Sequence, residues 1–320
     1  NNDSVEIDLS EPSVDNSTFF DSEFNKKFLD GALRIDLPEF LGRLELINYY
    51  LSNNDFDLDI DSDLQNIVND FPSYEEALNA ELISQKDLLE TLKKNDFKRI
   101  LTQEQNDNLL KLCSLKAGAS FSVPGAGKTT EALGFYSFHR KNKASKLLII
   151  SPLNAFSSWD YEISQCLHSA EDISRLRGSN SQIQKIITQD PTFMSINYES
   201  LRSPEKFMII KNLIQGHKDL MVILDESHRA KGPAIAEVLL QLSPYIQKKL
   251  ILTGTPMPQA STDLKSQFSF LYPQEYVPMS EELLDKFEPL YVRTTKDDLG
   301  LMEPIVVPHE ITPYPAFDSF

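Results

Sequence analysis

The chain of 320 residues is short of cysteine, of basic charge and of long apolar runs. Its two cysteines, Cys113 and Cys166, fall in stretches that read as amphipathic helices. Neither a disulfide framework nor a thiolate metal centre is therefore expected, and a reducing, intracellular setting is the default. No apolar run approaches the roughly 20 residues of a membrane span, so no membrane partner is expected. Nothing at the N-terminus has the charged-then-apolar form of a secretion signal. The chain opens with Asn1 rather than Met and stops at Phe320 without a terminal signature, so we expect a piece of something longer.

Basic charge is scarce but unevenly so. The net charge is −17. Residues 1–100 hold 23 acidic against 9 basic side chains, a balance of −14, whereas residues 101–320 hold 25 against 22, a balance of −3. The acidity belongs to an N-terminal region, and the chain behind it is near neutral. Length and a hydrophobic content of 41% favour two domains with sizeable cores. We place an acidic, mainly helical accessory or regulatory domain at residues 1–97 and a second domain at 98–320. In the first, Val5–Leu9 alternates weakly like an edge strand. Pro38–Leu51 reads as a helix with Phe40, Leu41, Leu44, Ile47, Tyr50 and Leu51 on one face. Leu64–Phe71 and Tyr74–Lys94 read as two more helices.

From Ile100 onward short apolar runs alternate with helical patterns. Strands are predicted at Ala119–Val123, Lys146–Ser151, Ile173–Leu176, Thr192–Asn197, Leu220–Leu224 and Lys249–Thr253. Helices are predicted at Glu131–His139, Ala155–Leu167, Ser181–Thr188, Glu205–Gln215 and Ile235–Leu242. This alternation predicts an α/β fold, a mainly parallel sheet with helices on both faces. Ligands in such sheets bind at the carboxyl ends of the strands.

Three strand ends carry chemistry. After the first comes Val123-Pro124-Gly125-Ala126-Gly127-Lys128-Thr129-Thr130. Its glycines let backbone N–H groups turn toward a phosphate, Lys128 supplies a cation, and the Thr129 hydroxyl suits Mg²⁺. A strict phosphate-loop pattern wants glycine at 122, where this chain has Ser122. The second stretch, Leu220–Leu224 followed by Asp225-Glu226-Ser227-His228, ends a buried strand in two adjacent carboxylates. Such a pair suits a metal-holding acid, Asp225, next to a base, Glu226. An acidic turn that merely terminates the strand is the alternative. The third, Leu250–Leu252 followed by Thr253-Gly254-Thr255-Pro256, places hydroxyls around a flexible glycine.

In this order the stretches resemble the first motor lobe of superfamily-two helicases, and the subtype resembles the Swi/Snf group of DNA translocases. The segment with Pro152, Trp159 and Glu162, the one with Tyr198 and Glu199, and the Asp263–Pro273 helix resemble further family motifs. So do Leu290–Leu299, with Arg293 and Lys296, and the entry segment Leu101–Leu112 with Gln105. The resemblance spans about residues 98–312. It implies a RecA-like P-loop domain that binds ATP and Mg²⁺, behind a smaller acidic, mainly helical N-terminal domain. Gln105 would read adenine, and Pro124, Gly125, Ala126, Gly127, Lys128, Thr129 and Thr130 would cradle the phosphates. Thr129 and Asp225 would hold Mg²⁺. Lys128, Asp225 and Glu226 would be catalytic, and His228, Thr253, Gly254 and Thr255 would couple nucleotide state to motion. Pro152, Tyr198 and Gly254 would touch DNA, with duplex favoured.

The chain departs from the family at Ser122-Val123, where an acidic pair is usual, at Gln259, and at Arg293-Thr294, where two arginines are usual. After Thr253 its one arginine is Arg293. The arginine fingers are then expected from a second lobe of the same polypeptide. The implied activity is ATP-driven movement on double-stranded DNA, weak in this chain by itself. An RNA helicase of the same superfamily and an ATP-dependent scaffold are the alternatives. The acidic region is expected to screen the DNA face.

Overall fold

A computed structural model describes residues 4–8, 14–24, 32–41, 43–54, 59–70, 72–143, 145–168, 171–254, 261–273, 275 and 282–300. The N-terminal part holds β1 (Ser4–Asp8), α1 (Val14–Phe24), β2 (Ala32–Asp36), α2 (Leu37–Leu41), α3 (Leu44–Asn53), α4 (Ser62–Asp70), α5 (Tyr74–Leu78) and α6 (Gln85–Lys94). Behind it come α7 (Gln103–Leu112), β3 (Ala117–Ser120), α8 (Lys128–His139), β4 (Leu147–Ile150), α9 (Phe156–Cys166), β5 (Ser174–Arg175) and α10 (Asn180–Ile187). The chain continues with β6 (Phe193–Ile196), α11 (Pro204–Gly216), β7 (Met221–Leu224), α12 (Pro233–Leu242), β8 (Lys248–Leu252), α13 (Ser261–Leu271), α14 (Glu282–Phe287) and β9 (Tyr291–Val292).

Seven strands form one sheet in the order β5-β6-β4-β7-β8-β3-β9, and every pairing in it is parallel. Buried on both faces, its strands are continuous apolar runs such as Leu147-Leu148-Ile149-Ile150. Successive side chains point to opposite faces. Leu148, Ile150, Val222 and Leu224 enter one core with Ile183, Ile210, Leu239 and Phe268 from the helices. Leu147, Ile149, Met221 and Ile223 enter the other, with Leu109, Leu133 and Trp159. The predicted α/β sheet with helices on both faces is the fold observed.

Two differences concern the strands. The first strand was expected at Ala119–Val123, and the ladder runs from Ala117 to Ser120. Phe121 and Val123 instead donate their N–H groups to the carbonyls of Val292 and Thr294, at 2.9 and 3.0 Å. Strand β9 went unpredicted because two residues carry no periodicity.

In the N-terminal part β1 pairs antiparallel with β2, Val5 facing Ile35. Val5, Phe20, Phe24, Leu33, Ile35, Phe40 and Ile47 make a separate small core. The helix expected over Pro38–Leu51 is split into α2 and α3, with the Arg43 N–H turned back to the Phe40 carbonyl. The helix expected over Tyr74–Lys94 is likewise two, because the Ser84 hydroxyl accepts the Asp87 N–H and starts a new helix there. Leu88, Leu92 and Phe97, placed by sequence with the acidic domain, pack in the core under α7, α8 and α9.

The acidic part meets the larger lobe at the edge where the strands begin. Lys116, just before β3, pairs with Glu76 at 2.9 Å, and Tyr245, just before β8, packs against the small core. Tyr74 meets Phe268 and Tyr272 edge-on, and the Tyr272 hydroxyl donates to the carbonyl of Ala117 at the start of β3. In a parallel sheet this edge is opposite the one that carries the phosphate loop. The expected screening of the strand carboxyl ends is therefore not the arrangement found among the described residues.

One buried base gives this lobe a pH dependence. His139, at the end of α8, has its Nε2 sealed from solvent without a hydrogen-bond partner among the described residues. Desolvation, helped by Lys248, lowers its pKa from an ordinary 6.5 to about 3, against a smaller opposing pull from a hydrogen bond to the Leu115 backbone. The fold prefers the neutral ring, so the stability it contributes is present above pH 6.5 and is lost as pH falls toward 3. We expect wild type to lose about 3 kcal/mol more stability than His139→Phe between pH 7 and 4 in denaturant melts.

Candidate functional site

The loop after β3 turns sharply. The Ala126 N–H donates to the Val123 carbonyl at 3.2 Å, and Gly125 and Gly127 have φ of 88° and 87°. Only glycine adopts that left-handed conformation without strain. Gly127 caps α8, whose unpaired N-terminal N–H groups and dipole favour an anion. The Lys128 ammonium lies over the strand end, donating to the carbonyls of Ser122 and Val123 at 3.0 and 3.4 Å. Desolvation lowers its pKa, while the nearby carboxylates of Glu226, Asp225 and Glu131 oppose that shift.

Two strands away, β7 ends in the acidic pair. The Asp225 carboxylate is buried, with Oδ2 accepting the Trp159 indole N–H at 2.8 Å and Oδ1 accepting the Glu226 N–H at 2.9 Å. Burial raises its pKa, and the Trp159 bond works the other way. Glu226 sits in left-handed backbone at φ 50° and ψ 50°. A non-glycine residue there carries on the order of 1–3 kcal/mol of strain, a cost met mostly at functional sites. His228 Nδ1 lies 3.2 Å from both Glu226 Oε2 and Thr253 Oγ1, so one imidazole nitrogen joins the acidic turn to the end of β8. Gly254 follows against the loop. A Cβ on it would come within 3.2 Å of Pro124 and 3.3 Å of Lys128 Nζ.

The sheet thus brings Lys128, Asp225, Glu226, His228, Thr253 and Gly254 together at neighbouring strand ends. The residues fit the expected groups. A left-handed glycine loop at a helix N-terminus suits a phosphate chain, and a carboxylate beside it with lone pairs to spare suits a hard divalent cation. Thr129 is half-buried at the first turn of α8, and Thr255 lies outside the described residues.

Four expected contacts are placed differently. Both ends of the Gln105 amide are used inside the protein: Oε1 accepts the Thr102 N–H in a capping box, and Nε2 donates to the Ala126 carbonyl. Gln105 therefore props the phosphate loop in this structure instead of presenting its amide. The Thr130 hydroxyl is buried and donates to Glu162 at 3.1 Å, away from the loop. Tyr198, expected at the DNA face, is fully buried, and its hydroxyl donates to the Asp225 carbonyl at 2.9 Å. Pro152 is buried as well, so the exposed surface there belongs to Leu153, Asn154, Ser157 and Ser158.

A polar network beneath the loop escaped the sequence reading. Glu131 is fully buried, accepting from Asn108 at 2.7 Å and Ser120 at 2.9 Å. Desolvation raises its pKa, against the pull of those two bonds and of Lys128. Asn108 also reaches Thr294 Oγ1 at 3.0 Å, and the Thr294 N–H donates to Ser122 Oγ at 2.9 Å. Ser122 and Thr294, two of the departures from the family pattern, are thus partners. An available signal was the run Thr130-Glu131 in the first helical turn, where an acid favours the helix end.

Comparison with known proteins agrees with this geometry. A family model described as the SNF2-related domain matches residues 118–302. The Schizosaccharomyces pombe protein named SWI/SNF chromatin-remodeling complex subunit snf22 is 30% identical over 155 residues, covering 47% of this chain and 9% of that protein. The human DNA annealing helicase and endonuclease ZRANB3 is 26% identical over 156 residues, covering 48% of this chain and 14% of that one. Two solved structures share the fold. The Sulfolobus solfataricus SWI2/SNF2 ATPase core domain gives a TM-score of 0.53 at 21% identity, covering 69% of this chain and 48% of that chain. The same core in complex with dsDNA gives 0.51 at 20%, covering 64% and 47%. The chain spans a small part of these curated relatives and about half of the solved cores.

The loop's dependence on its second glycine is open to test. A Cβ at position 127 would lie 2.1 Å from Gln105 Nε2 and would need a left-handed backbone. Gly127→Ala is expected to cost about 1–2 kcal/mol in thermal or denaturant melts and to weaken nucleotide binding measured by calorimetry.

Proposed function

The chain belongs to the SNF2-related domain family, and on that premise we propose that it is the ATP-binding lobe of a double-stranded-DNA translocase. The observation that carries this reading is the convergence of Lys128, Asp225, Glu226 and Thr253 at neighbouring strand ends, with His228 linking the last two. Lys128 and the N–H groups of the Gly125–Lys128 turn receive the phosphates of ATP. Thr129 and Asp225 would hold Mg²⁺, which would supply positive charge to the outer phosphates. Glu226 takes the proton of the attacking water. His228 passes the position of Glu226 to Thr253 and Gly254, the segment that leads to α13.

The DNA reading draws on the relatives named above, one of them solved with dsDNA. In this chain the contact surface is assigned to the exposed residues around Leu153, Asn154, Ser157 and Ser158, together with strand-end backbone. Such contacts go mostly to phosphates and carry little sequence information. The near-neutral charge of the lobe makes binding weak, and the phosphate contacts it does make are salt-sensitive. The acidic part, through Tyr74, Glu76 and the small core under Tyr245, braces the strand-start edge and leaves the opposite edge open to a second lobe.

An arginine finger from that second lobe is worth on the order of 10³–10⁵ in rate. Residues 1–320 alone are therefore expected to bind ATP but to turn it over slowly, with little response to DNA, in a coupled phosphate-release assay. In the complete polypeptide, Glu226→Gln should keep ATP affinity and lose turnover, and Lys128→Ala should lose both. Duplex DNA should stimulate the complete motor more than RNA. Greater stimulation by RNA would favour the RNA-helicase reading, and wild-type turnover in Glu226→Gln would remove the assigned base.

A further inference from the structure

Helix α9 reaches both sides of the nucleotide site from a single face. Trp159 donates its indole N–H to Asp225 Oδ2 at 2.8 Å. Three residues further on, the same stripe of the helix presents Glu162. Its Oε2 accepts from the Thr130 hydroxyl at 3.1 Å and from Arg99 at 2.6 Å. Thr130 sits in the first turns of α8, two residues after Lys128. One helix thus grips the end of β7 with a tryptophan and the phosphate-loop helix with a glutamate.

We infer that Trp159 is a positioning residue for the Asp225 carboxylate, fixing its plane so that a divalent cation meets it in one geometry. This rests on the reading of Asp225 as a metal carboxylate. Three features carry it. The indole N–H only donates, so it addresses carboxylate oxygen without competing for the cation. The ring is almost fully buried at 1% exposure, so the donor cannot swing away. Among the described residues each Asp225 oxygen accepts one donor, Trp159 on one side and the Glu226 N–H on the other, which leaves each with a lone pair for a cation. A tryptophan serving only to fill the core needs none of this alignment, and phenylalanine would fill much of the same space.

The chain contains one tryptophan, so its emission comes from this position alone. The test uses residues 1–320 with the non-hydrolysable analogue adenosine 5′-(β,γ-imido)triphosphate, titrated with MgCl₂ or held in EDTA. In Trp159→Phe we expect the Mg²⁺ concentration for half-maximal nucleotide binding to rise on the order of 10- to 100-fold, as when an outer partner of a metal ligand is lost. Affinity in EDTA should stay unchanged. In wild type, Mg²⁺ should shift Trp159 emission only with nucleotide bound, and Asp225→Asn should abolish that shift. If Asp225→Asn loses the Mg²⁺ dependence but Trp159→Phe keeps it, the positioning role is overturned and the metal carboxylate stands. Should Asp225→Asn itself keep the Mg²⁺ dependence, the metal reading falls and takes this inference with it. Should Trp159→Phe fail to fold by circular dichroism, the wild-type emission decides: no Mg²⁺-dependent shift overturns the proposal.

Discussion

A carboxylate at the end of a fully buried strand is the constraint around which this lobe is built. Asp225 is carried to the edge of the sheet by four apolar residues and left mostly out of water, where an ionised group is costly unless donors meet it. The protein answers with an indole from α9, an N–H from its own turn, and the Tyr198 hydroxyl on its carbonyl. Each donor comes from a different segment, so one residue, through its side chain and its carbonyl, ties β7, α9 and the segment after β6 together. The left-handed backbone at Glu226 belongs to the same bargain, since it turns the second acid out of the strand line and toward His228.

The phosphate loop obeys a parallel logic with the opposite sign. Its lysine is desolvated, which works against the charge, and the acidic residues around it restore part of what burial removes. Beneath it, Glu131 is held by Asn108 and Ser120 and is tied through Asn108 to Thr294. Where the family resemblance leads one to expect an acidic pair, this chain has Ser122 and Val123, and a buried acid, Glu131, stands on the helix next to the loop.

Much of this was legible in the chain before any coordinates. The strands could be read because burial on both faces makes them unbroken apolar runs ending in small or acidic residues, as at Leu220–Leu224. The loop and the acidic pair could be read because few residues serve those chemistries. What could not be read was partnership across distance. Trp159 and Asp225 are 66 positions apart, and nothing in either segment announces the bond. Tyr198 was expected at the DNA face through the family resemblance, yet its hydroxyl donates to a buried carbonyl. Gln105 was expected on adenine through the same resemblance, yet its own helix cap uses it. Position 97 looked like a boundary because composition changes there, whereas packing follows Leu88 and Leu92 into the larger core.

The short strand β9 has a consequence in time. It completes the ladder beside the phosphate-loop strand, and Thr294 reaches Ser122 across 172 positions of chain. During synthesis at about 5–20 residues per second, the loop emerges roughly 10–35 s before the strand that will flank it. Over that interval β3 has neither of its neighbours for long, since β8 also follows by more than a hundred residues. During that interval β3 is an open strand edge, and the loop that follows it is among the last parts of the lobe to be enclosed.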